Sequence, residues 1–531
     1  MYECPNCAAN LRFDIERQQL FCDVCEASLD PYEIEKDRDA EESEYFDATV
    51  YLCPQCGGQL LSDDTTAATF CSYCGSSAIL TGRISKCKRP KYIIPFQKTK
   101  EDCKAAYKEM VKGAFFAPRE LKDEKAIQQF RAIYMPYWLC SVEGNDRITF
   151  EGNRTSQSGN YKFVEHTTLS TKVESKYEGF SFDASSAFPD QLSSLIEPFD
   201  LDAKLPFTSS FLSGFYADTN DVNADDYCEV AQNVAVEHGY EQFKKQYPYY
   251  NFDEPEENVS LKRALREQET KEELAMFPVW FLAYRKKDRV AYGVVNGQTG
   301  KVAVDLPIDI KKFVITALLL AIPLTLLFSF CLAVKPEVLL IILILLSSAA
   351  CIVIHEHTSQ YLTNEFYEDL QLVFESEQEK RNRKEKIKNW LLILAYAAVM
   401  IVTFCWQTKL IFKMYPSIIL AVTEVTFLSI LAVKICKSYR VNDIPYYNVD
   451  EYKKQWKKKL IYLIKPFLAI LLSFIILVVH PGNYAFYYAI ASVSVGMIIW
   501  SMIDVINIKN RMITRPLPQF NIRGGEEEVH T

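Results

Sequence analysis

"CPQCGGQLLSDDTTAATFCSYCG" occupies residues 53–75 and holds two Cys-x-x-Cys pairs with fourteen residues between them. The same unit occurs earlier, as Cys4-Pro5-Asn6-Cys7 and Cys22-Asp23-Val24-Cys25. Cys53, Cys56, Cys71 and Cys74 each lie 49 positions after Cys4, Cys7, Cys22 and Cys25. A Cys-x-x-Cys turn aims two thiolates at one point, and two such turns complete a tetrahedral site for Zn²⁺. Each copy therefore reads as a zinc ribbon. A disulfide framework or a redox dithiol is the competing reading, and two matched pairs favour metal. Four thiolates leave no open position for water or substrate, so the expectation is two structural Zn²⁺, one per ribbon. Ribbons this small have little core, and the metal supplies much of their folding energy.

The chain has 531 residues, enough for several domains. Eight further cysteines are scattered, several in apolar runs, which suits a reducing compartment. No cleavable signal peptide is read before the first ribbon. Residues 1–80 hold four Lys and Arg against sixteen Asp and Glu, a difference of −12. Thiolate-bound zinc adds about two negative charges per cluster. Binding a polyanion requires Lys and Arg to replace its counterions. The ribbons therefore read as protein-contact modules and not as nucleic-acid binders. Residues 31–49 are an expected acidic linker, and the ribbons are expected to be tethered rather than fused.

The sign reverses in 81–130, a predicted basic linker followed by a helix that ends near Gly113. Residues 131–310 alternate apolar and polar in several runs and read as a β-rich domain. "IYMPYWLC" (133–140) resembles "MFPVWFLA" (276–283), a weak internal repeat around a helical insert, "NADDYCEVAQNVAVEHGYEQFKKQ". These Pro-x-Trp segments read as buried strands. "GQTGKV" (297–302) imitates a phosphate-binding loop, but Val295 and Val302 stand where the pattern needs Gly and Ser or Thr. "NGQTG" reads instead as a hairpin turn.

Apolar runs at 313–334, 338–354, 390–406, 417–433, 467–479 and 485–503 approach the length of a bilayer-crossing helix. Six spans are expected, within a range of four to six. The run at 467 reaches full length if 460–464 joins it, with Lys465 snorkelling and Asp504 reaching water at another span's end. Basic residues crowd two connections and the tail, among them Lys380, Arg381, Arg383, Lys457, Lys458, Lys459, Lys509 and Arg511. The other connections are short and nearly uncharged. The positive-inside rule then places both termini in the cytoplasm of a multi-pass inner-membrane protein. The basic connections read as contacts for anionic lipid. Glu424 lies in the middle of an expected span and is a candidate intramembrane functional residue. His355-Glu356-His357 is not a His-Glu-x-x-His site, because Ser359 holds its fifth position. No catalytic residue is assigned, and no enzyme is expected.

These readings add up to a multidomain chain: two small Cys4 zinc ribbons, a β-rich α+β soluble domain and an α-helical polytopic membrane domain. The expected limits are 1–30 and 50–80 for the ribbons, 131–310 for the soluble domain, 311–508 for the membrane domain and 509–531 for a cytoplasmic tail. The ribbon cysteines, "YIIPF" (92–96), "FFAP" (115–118), "IYMPYW" (133–138), "SGFYA" (213–217) and "PVWFL…VNGQTGKV…LP" (278–307) occur in order. In this set the chain resembles bacterial membrane-anchored double zinc-ribbon proteins, labelled as transcription-factor-IIB-type zinc-ribbon proteins or as primosomal helicase-like. The resemblance covers residues 1–310, and the spans more loosely. No Walker-type loop supports the helicase label. The resemblance implies an association with envelope-stress assemblies that contain phage-shock-protein-A-like and SPFH-domain proteins. The expected function is an adaptor or scaffold with a cytosolic protein-binding head. A transporter or channel regulated by that head is the alternative, and nucleic-acid binding is the weakest class. Oligomeric state is left open by the sequence.

Overall fold

The two Pro-x-Trp segments lie side by side. Residue 136 faces Met276, Trp138 faces Leu274 and Phe277 faces Met135 across an antiparallel pair of strands. Tyr134, Met135, Tyr137, Cys140, Ala275, Phe277 and Val279 there are all fully buried. A strand covered on both faces reads as a continuous apolar run rather than an alternating one. The computed structural model describes residues 2–34, 45–62, 71–76, 81–159, 161–248, 251–252, 270–331, 335–367 and 449–518.

The chain forms two compact units. The first comprises Met1–Phe115, Arg119–Leu306 and Arg515–Thr531. Its first three strands, β1 (Leu11–Asp14), β2 (Gln19–Cys22) and β3 (Ser28–Leu29), make a small antiparallel sheet. All other strands join one large sheet. They are β4 (Tyr45–Leu52), β5 (Gln59–Ser62), β6 (Thr81–Lys88), β7 (Tyr92–Ile93), β8 (Arg131–Ser158) and β9 (Tyr161–Asp183). There follow β10 (Leu205–Pro206), β11 (Tyr216–Ala217), β12 (Asn251–Phe252), β13 (Thr270–Lys286), β14 (Arg289–Asn296), β15 (Val302–Val304) and β16 (Arg515–Pro516). The path through the sheet runs β10-β7-β13-β8-β11-β5-β4-β6.

The connection between the two ribbons, 35–44, lies outside the described residues. Strands β4 and β5 of the second ribbon enter the main sheet through β11, with Ala217 opposite Leu61 on one side and Tyr134 on the other. Residues 81–88, expected as a basic linker, are strand β6, paired with β4 from Thr81↔Leu52 to Lys88↔Tyr45. A basic run is compatible with an edge strand, where charge opposes pairing with other chains. The first ribbon also packs on the soluble unit. Phe13 meets Phe211 at 5.1 Å, and the Phe13 N–H donates to the Ser213 carbonyl at 3.0 Å.

Local signals hold where short-range chemistry sets them. Helix α1 (Lys100–Lys112) starts with a reciprocal cap between Thr99 and Asp102 and ends at Gly113. Cys103, Tyr107 and Val111, one helical turn apart, form its buried stripe. After the single-turn helix α2 (Glu124–Ile127), α3 (Asp190–Ile196) carries Leu192 and Ile196 into the core. The expected helical insert is α4 (Asp225–Gln246), whose Tyr227, Ala231 and Ala235 pack on Trp138 and Cys140. The expected "NGQTG" turn joins β14 to β15, with Val295 opposite Val302. Asn296 Oδ1 accepts from the N–H groups of Gln298 and Thr299, both at 2.9 Å. Gly297 has no substitute there, because a Cβ would lie 2.5 Å from the Phe96 ring.

The second unit comprises Phe116–Pro118 and Pro307–Thr514. Its described helices are α5 (Ile310–Cys331), α6 (Pro336–Tyr367), α7 (Val449–Val479) and α8 (Tyr484–Ile513). Leu340, Ile344, Leu463, Ile470, Tyr487 and Ala491 form a shared core of α6, α7 and α8. Among the described residues, three helices are long and apolar enough to cross a membrane: Pro336–Leu362, Trp456–Val479 and Tyr484–Ile513. The expected run at 313–334 falls mainly on α5. Those at 390–406 and 417–433, Glu424 included, lie outside the described residues. Residues 460–464 do join 467–479 in one helix. Lys465, however, does not reach out alone: its Nζ donates to Asp504 Oδ2 at 2.5 Å.

Candidate metal centres

Four short turns carry the eight ribbon cysteines, and they share one geometry. In each, the first cysteine's carbonyl accepts from the N–H four residues on: Cys4 from Ala8, Cys22 from Glu26, Cys53 from Gly57 and Cys71 from Gly75, at 2.8–3.0 Å. That fourth residue is left-handed in every case, with φ of 59°, 58°, 76° and 64°. Glycine takes this conformation freely, whereas Ala8 and Glu26 pay about 1–2 kcal/mol for it. The N–H of each first cysteine then closes the turn on the carbonyl five residues on, that of Ala9, Ala27, Gly58 or Ser76. The turn leaves the two sulfurs of each pair facing one centre.

The sulfurs of Cys4, Cys7, Cys22 and Cys25 all lie within 4.8 Å of one another, and so do those of Cys53, Cys56, Cys71 and Cys74. Cys4 and Cys25 are 3.4 Å apart at Sγ, as are Cys7 and Cys22. Cys53 and Cys74 are 3.9 Å apart, and Cys56 and Cys71 are 3.7 Å apart. Tetrahedral Zn–S bonds of about 2.3 Å require sulfur separations of about 3.8 Å. A disulfide would need about 2.05 Å, so these sulfurs are not bonded to each other. The eight-residue ligand set is therefore compatible with two metal ions.

Hydrogen bonds to and among the sulfurs shift several of the thiols from their ordinary range. The Cys25 backbone N–H holds Cys22 down to about 7. In the second cluster, a hydrogen bond from Cys56 holds Cys74 well below the usual thiol range, while the bond with the same Cys56 pushes Cys71 far above it. The Gly58 N–H also donates to Cys56 Sγ at 3.4 Å.

The surroundings of the two clusters differ. All four second-cluster cysteines are buried. Tyr73, between two of them, is completely covered, and its carbonyl accepts from Tyr292 Oη at 2.8 Å. In the first cluster Cys4 and Cys22 are buried, but Cys7 and Cys25 are exposed. Val24 beside Cys25 is 72 % exposed.

Among the described residues no other group of three or more His, Cys, Asp or Glu could hold a metal. His355, Glu356 and His357 sit inside α6, which continues to Tyr367, and so do not cap a helix. Sequence reasoning missed several covered acids, among them the buried Asp218 and the half-buried Glu197. Burial pushes Asp218 up to about 7; Ser185 Oγ and the Thr219 N–H donate to it. Burial likewise pushes Glu197 up to about 7, with Ser181 Oγ donating at 3.3 Å. Neither lies in a motif, and only the tertiary fold covers them.

The chain is 27 % identical over 316 residues to the uncharacterized protein YdjG of Bacillus subtilis (strain 168), covering 59 % of this chain and 91 % of that protein. No family model and no solved structure matches the chain.

Proposed function

We propose that the protein is a membrane-anchored adaptor, whose two Cys4 clusters hold structural zinc and whose soluble unit presents a protein-docking head. Zinc in such a site crosslinks four chain positions and supplies no open coordination position. The carrying observation is the first ribbon's asymmetry. Its inner face is packed on the soluble unit, and its metal end, with Cys7, Cys25 and Val24, faces outward. The strongly acidic N-terminal region favours a basic partner and disfavours nucleic acid. Anionic lipid is the proposed partner of the basic connections. The reading assigns no catalytic role and leaves oligomeric state unspecified. An envelope-stress setting rests on the family resemblance.

The proposed location is the cytoplasmic membrane, multi-pass, with both termini inside. One topological fact supports placing the two ends of the helical segment on the same side of a membrane. Leu306 and Arg515 belong to the same soluble unit, where Arg515 Nη1 donates to Asp305 Oδ2 at 2.6 Å. The intervening segment thus leaves and rejoins one body, and any membrane it crosses is crossed an even number of times. Four or six spans satisfy this; five do not.

Crosslinked capture from native membranes tests the adaptor reading. The Cys7→Ser/Cys25→Ser variant is expected to lose at least tenfold of a partner captured by wild type, while membrane insertion is unchanged. Equal capture by both proteins would contradict it.

The second reading, a transporter or channel regulated by the head, is favoured by one observation: the Lys465–Asp504 ion pair inside the helical unit. Paired charges within apolar helices mark transport pathways in other proteins.

A further inference from the structure

We infer that the two clusters divide their labour: the first holds an exchangeable zinc that thiolate-rich or chelating ligands can take or return, and the second holds a locked one. The inference rests on the zinc reading above and names a property of one of its sites.

Ligand exchange at zinc is associative. An incoming donor must approach the metal, bond to it and let one cysteine sulfur leave. In the first cluster that approach is open at Cys7 and Cys25, which are exposed. Each Zn–S bond that breaks is replaced by a bond from the incoming ligand, and the released sulfur takes up a proton. Zinc stays divalent and no electron moves. In the second cluster Cys53, Cys56, Cys71 and Cys74 are 1 %, 4 %, 0 % and 0 % exposed. An incoming ligand reaches that metal only after the sheet around it opens.

The consequence of emptying each site differs as well. The first ribbon is held to the soluble unit by contacts independent of its metal. The Phe13 N–H donates to the Ser213 carbonyl, and Tyr32 Oη donates to the Pro206 carbonyl at 2.8 Å. Gln18 Nε2 donates to the Phe96 carbonyl at 2.7 Å. Leu11, Phe13 and Leu20 stay buried on the same core as Phe211 and Phe215. Loss of its zinc frees the outer turns and leaves the base docked. Loss of the second zinc frees the β4–β5 turn and the Cys71–Cys74 turn, whose Tyr73 is buried against Phe281.

The test uses the zinc-loaded full chain in detergent micelles, with excess 4-(2-pyridylazo)resorcinol as both chelator and colour readout. The expected result is two phases of one zinc each, with rates at least 100-fold apart. Circular dichroism is unchanged after the fast phase. Cys7→Ser/Cys25→Ser removes the fast phase and keeps the slow one. Release of both equivalents in one phase, or a fast phase that survives this double substitution, would overturn the inference. Should the chain carry no zinc at all, the zinc reading itself fails, and that outcome is visible before any chelator is added.

Discussion

Cys71→Ser is expected to lower the melting temperature of the soluble unit by about 10 °C or more, whereas Cys7→Ser shifts it far less. Structural zinc contributes an apparent 10–16 kcal/mol, roughly, in small zinc modules. Whole domains are stable by only about 5–15 kcal/mol. Cys71 is fully buried, and its cluster includes the turn that joins β4 to β5. Serine there leaves three thiolates around a metal that nothing else reaches, with Tyr73, Phe281 and Tyr292 packed nearby. At about 1.5 °C per kcal/mol for a unit of this size, a loss of about 7 kcal/mol gives the expected shift. Near-UV circular dichroism with thermal melting in detergent measures it. Equal melting of Cys71→Ser and wild type would remove the second cluster from the structural role given to it.

Asp504→Leu is expected to destabilise the helical unit by about 3–5 kcal/mol, the usual cost of leaving a buried charge without its partner. The two side chains are 22 % and 9 % exposed at Lys465 and Asp504, and Lys465 also lies over the Trp500 ring at 4.1 Å. The Lys465→Met/Asp504→Leu double substitution removes both charges and is expected to recover most of the loss. Melting in detergent, followed by tryptophan fluorescence, compares the three variants with wild type. If Asp504→Leu melts with wild type, the pair contributes nothing and each group is solvated separately.

The two cysteine clusters were legible because their chemistry is local. A Cys-x-x-Cys turn needs only four residues to aim two sulfurs, and the same fourteen-residue spacing in both copies marks each set without knowledge of the rest. The end of α1 at Gly113 and the turn at Asn296 were legible for the same reason. Strand pairing was not. Nothing within residues 45–62 says that β5 meets β11, because the partner lies some 155 positions away and contributes only Tyr216 and Ala217. A still longer separation hid β16, which returns after the helices to pair with β14 at Val290 and Arg289. A charge run at 81–88 reads as solvated chain, yet an edge strand satisfies it equally. Lys465 and Asp504 each looked able to reach water; only the packing of α7 on α8 shows that they reach each other. Glu424 keeps its standing as a sequence-based candidate, outside the described residues.

Two tetrahedral zinc sites in one head are the centre of this account, and metal content tests them most directly. Inductively coupled plasma mass spectrometry of the purified full chain, normalised to protein by amino-acid analysis, gives ions per chain. Two zinc ions are expected for wild type, and one after Cys4, Cys7, Cys22 and Cys25 are replaced together by serine. A wild-type chain with no bound metal, or with iron in place of zinc, would contradict it.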